Sequence, residues 1–142
     1  MRLAVVDASV ALAWVLPDEE VGADALRLLL AYQGNQVRLL TPSLWEYEVL
    51  NALRVGVTRG RLTAEDSAEA ARALLDLSLT LAPLGETADR AWELALQHRL
   101  TIYDAAYLAL AEHHNCPLFT ADKCLLTAAE GSDLVRWVGE YG

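Results

Sequence analysis

The sequence is short of positive charge. Eleven of its 142 residues are Lys or Arg against twenty Asp or Glu, for a net charge of −9, and Lys123 is the single lysine. A chain this acidic has no general grip on nucleic acid, so a polyanionic substrate would need bridging cations or a local basic strip. Cysteine is scarce too. Cys116 and Cys124 are too few for a disulfide scaffold and read as free thiols of a reducing compartment. His113 and His114 stand beside Cys116, but adjacent His residues point to different helix faces and the spacing fits no common zinc motif. Long hydrophobic runs are missing. The longest near the N-terminus, Leu3 to Pro17, is broken by Asp7 and Ser9 and is too short to cross a bilayer. Arg2 could imitate the start of a signal peptide, but an Asp inside the apolar region argues against one. A cytoplasmic protein without membrane association is expected. There is no G-x-x-x-x-G-K-[ST] loop, no G-x-G-x-x-G run, no repeat and no linker.

What is present is a folded-protein composition, 54% hydrophobic, in a length that fits one domain over 1–142. Such a chain buries about 70% of its unfolded surface. Short apolar runs alternate with helical patterns. Leu3–Val6, Val37–Leu40, Leu79–Ala82, Pro117–Phe119 and Leu134–Val138 read as strands. Asp7-Ala8-Ser9 follows the first strand, then a helix is expected to Leu16, where Pro17 stops the chain; further helices are expected over Glu19 to Gln33, from Ser43 to the Gly60 break, Thr63 to Leu77, Thr87 to His98, Ile102 to His114 and Asp122 to Ala129. Ser43 with Glu46, Thr63 with Asp66 and Thr101 with Asp104 are spaced as capping boxes. The alternation predicts an α/β fold with a parallel sheet covered on both faces. Sites in such folds form beyond the carboxyl ends of the strands, which is where Asp7 and Asp122 fall.

Acids recur where carboxylates are expensive. TIYDAAYLAL, Thr101 to Leu110, holds one charge, Asp104, in a helix with no polar face before Glu112. Capping of the first helical turn by Thr101 and Asp104 is one explanation. Glu48 lies outside any cap and shares a helix face with Asn51 one turn on, or simply marks a polar stripe. Asp7, Glu48, Asp104 and Asp122 call for one explanation. Gathered carboxylates repel, and a cation is the usual remedy; hard oxygen ligands favour Mg²⁺ or Mn²⁺. Such an ion suits in-line attack on phosphate. No Ser, Cys or Lys nucleophile has a supporting constellation.

VVDASV at the start, EVLNAL from Glu48, IYDAAYLALA from Ile102 and LFTADKCL from Leu118 together resemble the PIN domain, and within it the VapC-type toxins of toxin–antitoxin pairs. The resemblance runs from residue 3 to about residue 138. It implies a metal-dependent ribonuclease with a central parallel sheet in the order 3-2-1-4-5, an RNA substrate and a cognate antitoxin. Carried over, Asp7, Glu48, Asp104 and Asp122 are the catalytic and metal-binding acids. Ser9 and Thr120 match hydroxyl positions beside them, and Asn51 a companion of the Glu. As ordinary turn residues, Ser9 and Thr120 would cap the turns after their strands.

Other readings fit less well. A haloacid-dehalogenase-type phosphatase needs a second acid where Ser9 stands, and a receiver domain needs a late-strand Lys where the only lysine follows an acid in a turn. A PIN-fold binding module that cuts nothing is the remaining alternative, and the four intact acids argue against it. Arg54, Arg59 and Arg61 cluster around Gly60 as a solvated helix end or as a strip for RNA phosphates or an acidic partner surface. Leu26, Leu28, Leu29 and Leu30 cover most of one helix circumference, from which a homodimer through the early helices is expected.

Overall fold

A computed structural model describes residues 2–16 and 20–141. The first strand, β1 (Arg2–Val6), is Leu-Ala-Val-Val after one Arg, and Ala4, Val5 and Val6 are all buried. Neighbouring residues on a strand face opposite ways, so burial of all three means that both faces are covered. β2 (Val37–Pro42) repeats the pattern with Leu39 and Leu40. β3 (Thr80–Ala82), β4 (Leu118–Thr120) and β5 (Val135–Trp137) are three-residue strands. All pairings are parallel, in the order β3-β2-β1-β4-β5. The expected sheet order is the observed one, with β1 at the centre.

Among the described residues, seven α-helices connect and cover these strands: α1 (Ala8–Val15), α2 (Gly22–Gln33), α3 (Leu44–Thr58), α4 (Ala64–Asp76), α5 (Ala88–His98), α6 (Ile102–His114) and α7 (Lys123–Ala128). The expected stop at Pro17 and start at Glu19 lie outside the described residues. α6 packs on β1 and β2 with α5 against it, while α1 contacts α2, α3 and β4. The all-apolar reading of α6 holds: every residue from Ala105 to Ala111 is buried, including the ring of Tyr107. Cys116 is buried, Cys124 is exposed and both are free. His113 and His114 pack edge to face, with His113 3.4 Å from Glu86 on the surface.

The capping boxes are not alike. Thr63 and Thr101 each accept the backbone N–H three residues on, at 3.1 Å. Ser43 makes no such bond. Its dihedrals are already helical (φ −55°, ψ −28°), whereas a capping side chain reaches back from an extended residue. Its own N–H goes to the Ala82 carbonyl at 2.9 Å, tying the end of β2 to β3. The Ser43–Glu46 box is therefore replaced by a strand-end contact.

Candidate active site

β1 ends at Val6, and the next residue, Asp7, is the N-cap of α1: its Oδ1 accepts the Val10 N–H at 3.2 Å. Asp7 is only 5% exposed. Two hydroxyls complete its surroundings. Ser9 Oγ donates to Oδ1, and Thr120 Oγ1 donates to Oδ2 in a short hydrogen bond. Each hydroxyl also takes a proton from the turn after β4: Ser9 Oγ accepts the Ala121 N–H at 2.8 Å, and Thr120 Oγ1 accepts the Asp122 N–H at 3.0 Å. Ser9 and Thr120 are thus hydrogen-bonded on two sides. They cap a turn, and through it they clamp the carboxylate of the central strand.

Asp122 is the N-cap of α7 and accepts from the backbone N–H groups of Cys124 (2.9 Å) and Leu125 (3.4 Å), which points its charge out of the β4 end. Asp104 sits in the first turn of α6, where the Thr101 cap fixes the backbone and the partial positive charge of the helix end favours a carboxylate. Glu48 projects from α3, and its Oε1 accepts the hydroxyl proton of Tyr107 at 2.6 Å.

The four acids form one electrostatic unit. Burial pushes the Asp7 carboxyl up to about 6 against its hydroxyl and backbone donors, and the Asp122 charge adds to the rise. Asp104 is raised by burial and then by Asp122. Glu48 is raised by burial, with Tyr107 opposing and Asp104 reinforcing. Asp7, Asp104 and Glu48 therefore each feel another acid of the set. Among the described residues, no three His, Cys, Asp or Glu side chains converge into a ready-made ion cage. An all-oxygen donor set of this open kind fits Mg²⁺ or Mn²⁺, which keeps several waters and takes one or two carboxylates directly.

Two sequence expectations stand apart from this centre. Asn51 is exposed, and no hydrogen bond joins it to Glu48; the partner of Glu48 comes from across the core instead. That partner, Tyr107, is the functional neighbour that the sequence reading missed. A signal was available, since a Tyr buried in a helix needs somewhere to put its hydroxyl. The arginine cluster is distant. Arg59 caps the C-terminus of α3 eleven residues after Glu48, about 16 Å along a helix that rises 1.5 Å per residue. Arg54 donates Nη1–H to Thr58 Oγ1 at 2.6 Å.

The family model of the PIN domain matches residues 4–130. Over 118 residues the chain is 40% identical to the VapC ribonuclease Mb0985 of Mycobacterium bovis, covering 83% of this chain and 84% of that protein. Ribonuclease VapC3 of Pyrobaculum aerophilum is 36% identical over 85% of this chain and 90% of its own length. The same fold appears in a crystal structure of PAE2754 from Pyrobaculum aerophilum, with a TM-score of 0.70 at 23% identity over 96% of this chain and 91% of that one. The chain belongs to the PIN-domain family. Within it, the chain belongs with the VapC ribonucleases.

Proposed function

We propose that the protein is the toxin endoribonuclease of a toxin–antitoxin pair and hydrolyses RNA phosphodiesters at Asp7, Glu48, Asp104 and Asp122 with the help of Mg²⁺ or Mn²⁺. The observation that carries this reading is the gathering of Asp7 and Asp104 around the Asp122 charge, which raises both of them after burial, in a chain related to VapC ribonucleases. A divalent ion held there supplies the positive charge that an attacking water and a departing oxygen need. The chain's own groups do the rest. Ser9, Thr120 and the Val10 N–H hold Asp7 in one orientation, and the α7 backbone holds Asp122. Tyr107 orients Glu48. Asp104 is half-buried and raised by burial, and in this reading it takes a proton from the attacking water. Purified protein is expected to cleave single-stranded RNA with Mg²⁺ or Mn²⁺ and to stop with EDTA. Equal cleavage by Asp104→Asn would overturn the assignment.

The partner surfaces follow. A cognate antitoxin is part of this reading, as are a cytoplasmic setting, consistent with two free thiols, and a single domain over 1–142. A homodimer also belongs to it, but α2 is a poor choice of surface: Leu28 is fully buried, leaving only Leu26 and Leu30 well exposed. The edge made by β3, α5 and α6 exposes more, with Leu81, Leu84, Trp92, Leu96, Ile102 and Tyr103. On α5 the exposed stripe begins with Asp89, passes Trp92 and Leu96, and reaches Arg99. A two-fold, antiparallel pairing of that helix sets acid against base at both ends. Trp92→Glu should move the light-scattering mass toward the 15.5 kDa of one chain, and an unchanged mass would count against this surface. Arg54, Arg59 and Arg61 are proposed as a remote phosphate or partner strip; neutralising Arg54 and Arg59 should flatten the salt dependence of RNA binding.

A further inference from the structure

Two grooves lie at the carboxyl ends of the strands, and they differ. The groove toward β3 holds about 240 Å³ and is lined by apolar and aromatic groups such as Leu44, Pro83, Leu84 and Tyr103, with no cation. The groove toward β5 holds about 500 Å³ and is more polar. Ser9, Ala121 and Asp122 line it, so it borders the acid set at Asp122. Lys123, Trp137 and Glu20 line it as well. Trp137 ends β5 in register with Thr120, one strand away from the hydroxyl that clamps Asp7. Its indole is half-buried and packs over Gly139, where an added Cβ would stand 3.0 Å from the ring. The backbone therefore holds the ring in place. Lys123 is exposed, and among the described residues it has no ion pair.

Resting on the ribonuclease reading, we propose that this groove is a nucleotide subsite: one base of the RNA strand stacks on Trp137, and the phosphate attached to that nucleotide meets Lys123. A flat aromatic face and a free cation beside the reacting centre are what a single strand recognises without sequence preference. A strand laid across the acids has to leave on one side, and the β5 side is the one that offers charge to its phosphates. Its volume admits a base with its ribose, and among the described residues that line it Trp137 offers the one aromatic face. The side chains named here position the substrate; they take no proton and form no bond in the reaction.

The test separates bases from phosphates. Binding is measured by fluorescence anisotropy in an Asp104→Asn background with Mg²⁺, where cleavage is suppressed. The probes are a short mixed-sequence single-stranded RNA and a ribose-phosphate oligomer of equal length with no bases. Trp137→Leu keeps apolar volume but loses the flat ring, and should weaken binding of the RNA about tenfold while leaving the base-free oligomer unchanged. Trp137→Phe should restore most of the loss. Lys123→Ala should weaken both probes equally and lower the salt slope by about one phosphate, with Lys123→Arg restoring it. A Trp137→Leu effect that is equal on the two probes, or absent on both, would overturn the stacking site. A Lys123→Ala salt slope equal to that of the parent would overturn the phosphate contact. Cleavage of the same RNA by the unsubstituted protein with Mn²⁺ is assayed separately, so a failure of the nuclease reading is distinguished from a failure of the subsite.

Discussion

Asp7 and Asp104 are the same carboxylate in two settings. Asp7 hangs from the central strand, is almost without solvent contact, and has donors on both oxygens from α1 and from the hydroxyls of Ser9 and Thr120. Asp104 stands on the first turn of a helix, half-buried, beside the partial charge of the helix end and the charge of Asp122. The difference separates structure from chemistry. Asp7 is a packing element that also bears a charge, so altering it alters the fold's energy. Asp104 is a half-buried charge on a finished helix with no side-chain donor to lose, so altering it disturbs the fold less than altering Asp7.

The largest expected effects test that contrast directly. Asp104→Asn should lower RNA cleavage on the order of a thousandfold, the scale of removing one preorganised electrostatic group from a site, while its melting temperature in EDTA barely changes. Asp7→Asn should lose as much cleavage and also shift its melting temperature. If Asp104→Asn shifts melting as much as Asp7→Asn, the two halves of the site are not distinct.

The direction of the Asp7 shift follows from its pKa. Burial, the leading cause, lifts the folded value to about 6 from an ordinary 3.8. The contribution to stability is therefore fully present below the unfolded value and is lost as pH rises through about 6. The gap corresponds to about 3 kcal/mol at neutral pH. In EDTA the wild type should lose stability from about pH 4 to about pH 6 and level off above, and Asp7→Asn should lose less of it and so be the more stable protein at neutral pH. The amide returns only part of the full difference, because it cannot accept on both of its atoms. Mn²⁺ should stabilise wild type more than the variant, since the ion binds the folded acids. A variant that melts below wild type at neutral pH in EDTA would show that hydrogen bonding, rather than burial of charge, dominates at Asp7.

How much of this was legible differs between the same two regions. Asp7, Ser9, Thr120 and Asp122 lie within a few residues of their strand ends, and strand ends can be read from short apolar runs bounded by turn residues. The sheet order needed the family resemblance, because three-residue strands such as Leu118–Thr120 carry too little pattern to declare their neighbours. The helix side was read less well. Spacing along α3 paired Glu48 with Asn51, but its hydrogen-bond partner, Tyr107, is 59 residues away on α6. Periodicity describes one helix at a time and is silent about which helix lies opposite. The Ser43–Glu46 box failed for a related reason. The Ser43 N–H had a tertiary acceptor at Ala82, and the sequence between them gives no sign of it.

A smaller effect probes the clamp on the Asp7 side. Thr120→Val keeps the shape at a fully buried position, but removes a donor to Asp7 and an acceptor for the Asp122 N–H. Leaving buried polar groups without a partner should cost about 2 kcal/mol by denaturant titration. Cleavage should fall by about 10- to 100-fold, as it does when a group that orients a metal-binding carboxylate is removed. Ser9 is less buried, so Ser9→Ala should cost less than Thr120→Val. The reverse order would place the main constraint on Asp7 in α1 rather than in the β4 turn.

The smallest effect is expected on the open side, at Tyr107. Tyr107→Phe removes one hydroxyl and leaves the ring that fills the core. Glu48 is only half-buried, so water can take the place of the lost donor, and the stability cost should be about 1 kcal/mol. The informative readout is the acid limb of the cleavage pH profile. The Tyr107 hydroxyl donates to the ionised form of Glu48 and so holds its pKa down against burial and the Asp104 charge. Without it, the Glu48 pKa rises further, and more acid-side activity is lost because the carboxylate is protonated over a wider range. The acid limb should therefore move to higher pH, with the plateau reached only in more alkaline buffer. A merely structural tyrosine would lower the whole profile without moving its limb. A limb that stays in place would mean that Glu48 is ionised regardless of its neighbour, and that Tyr107 serves α6 packing rather than the acid centre.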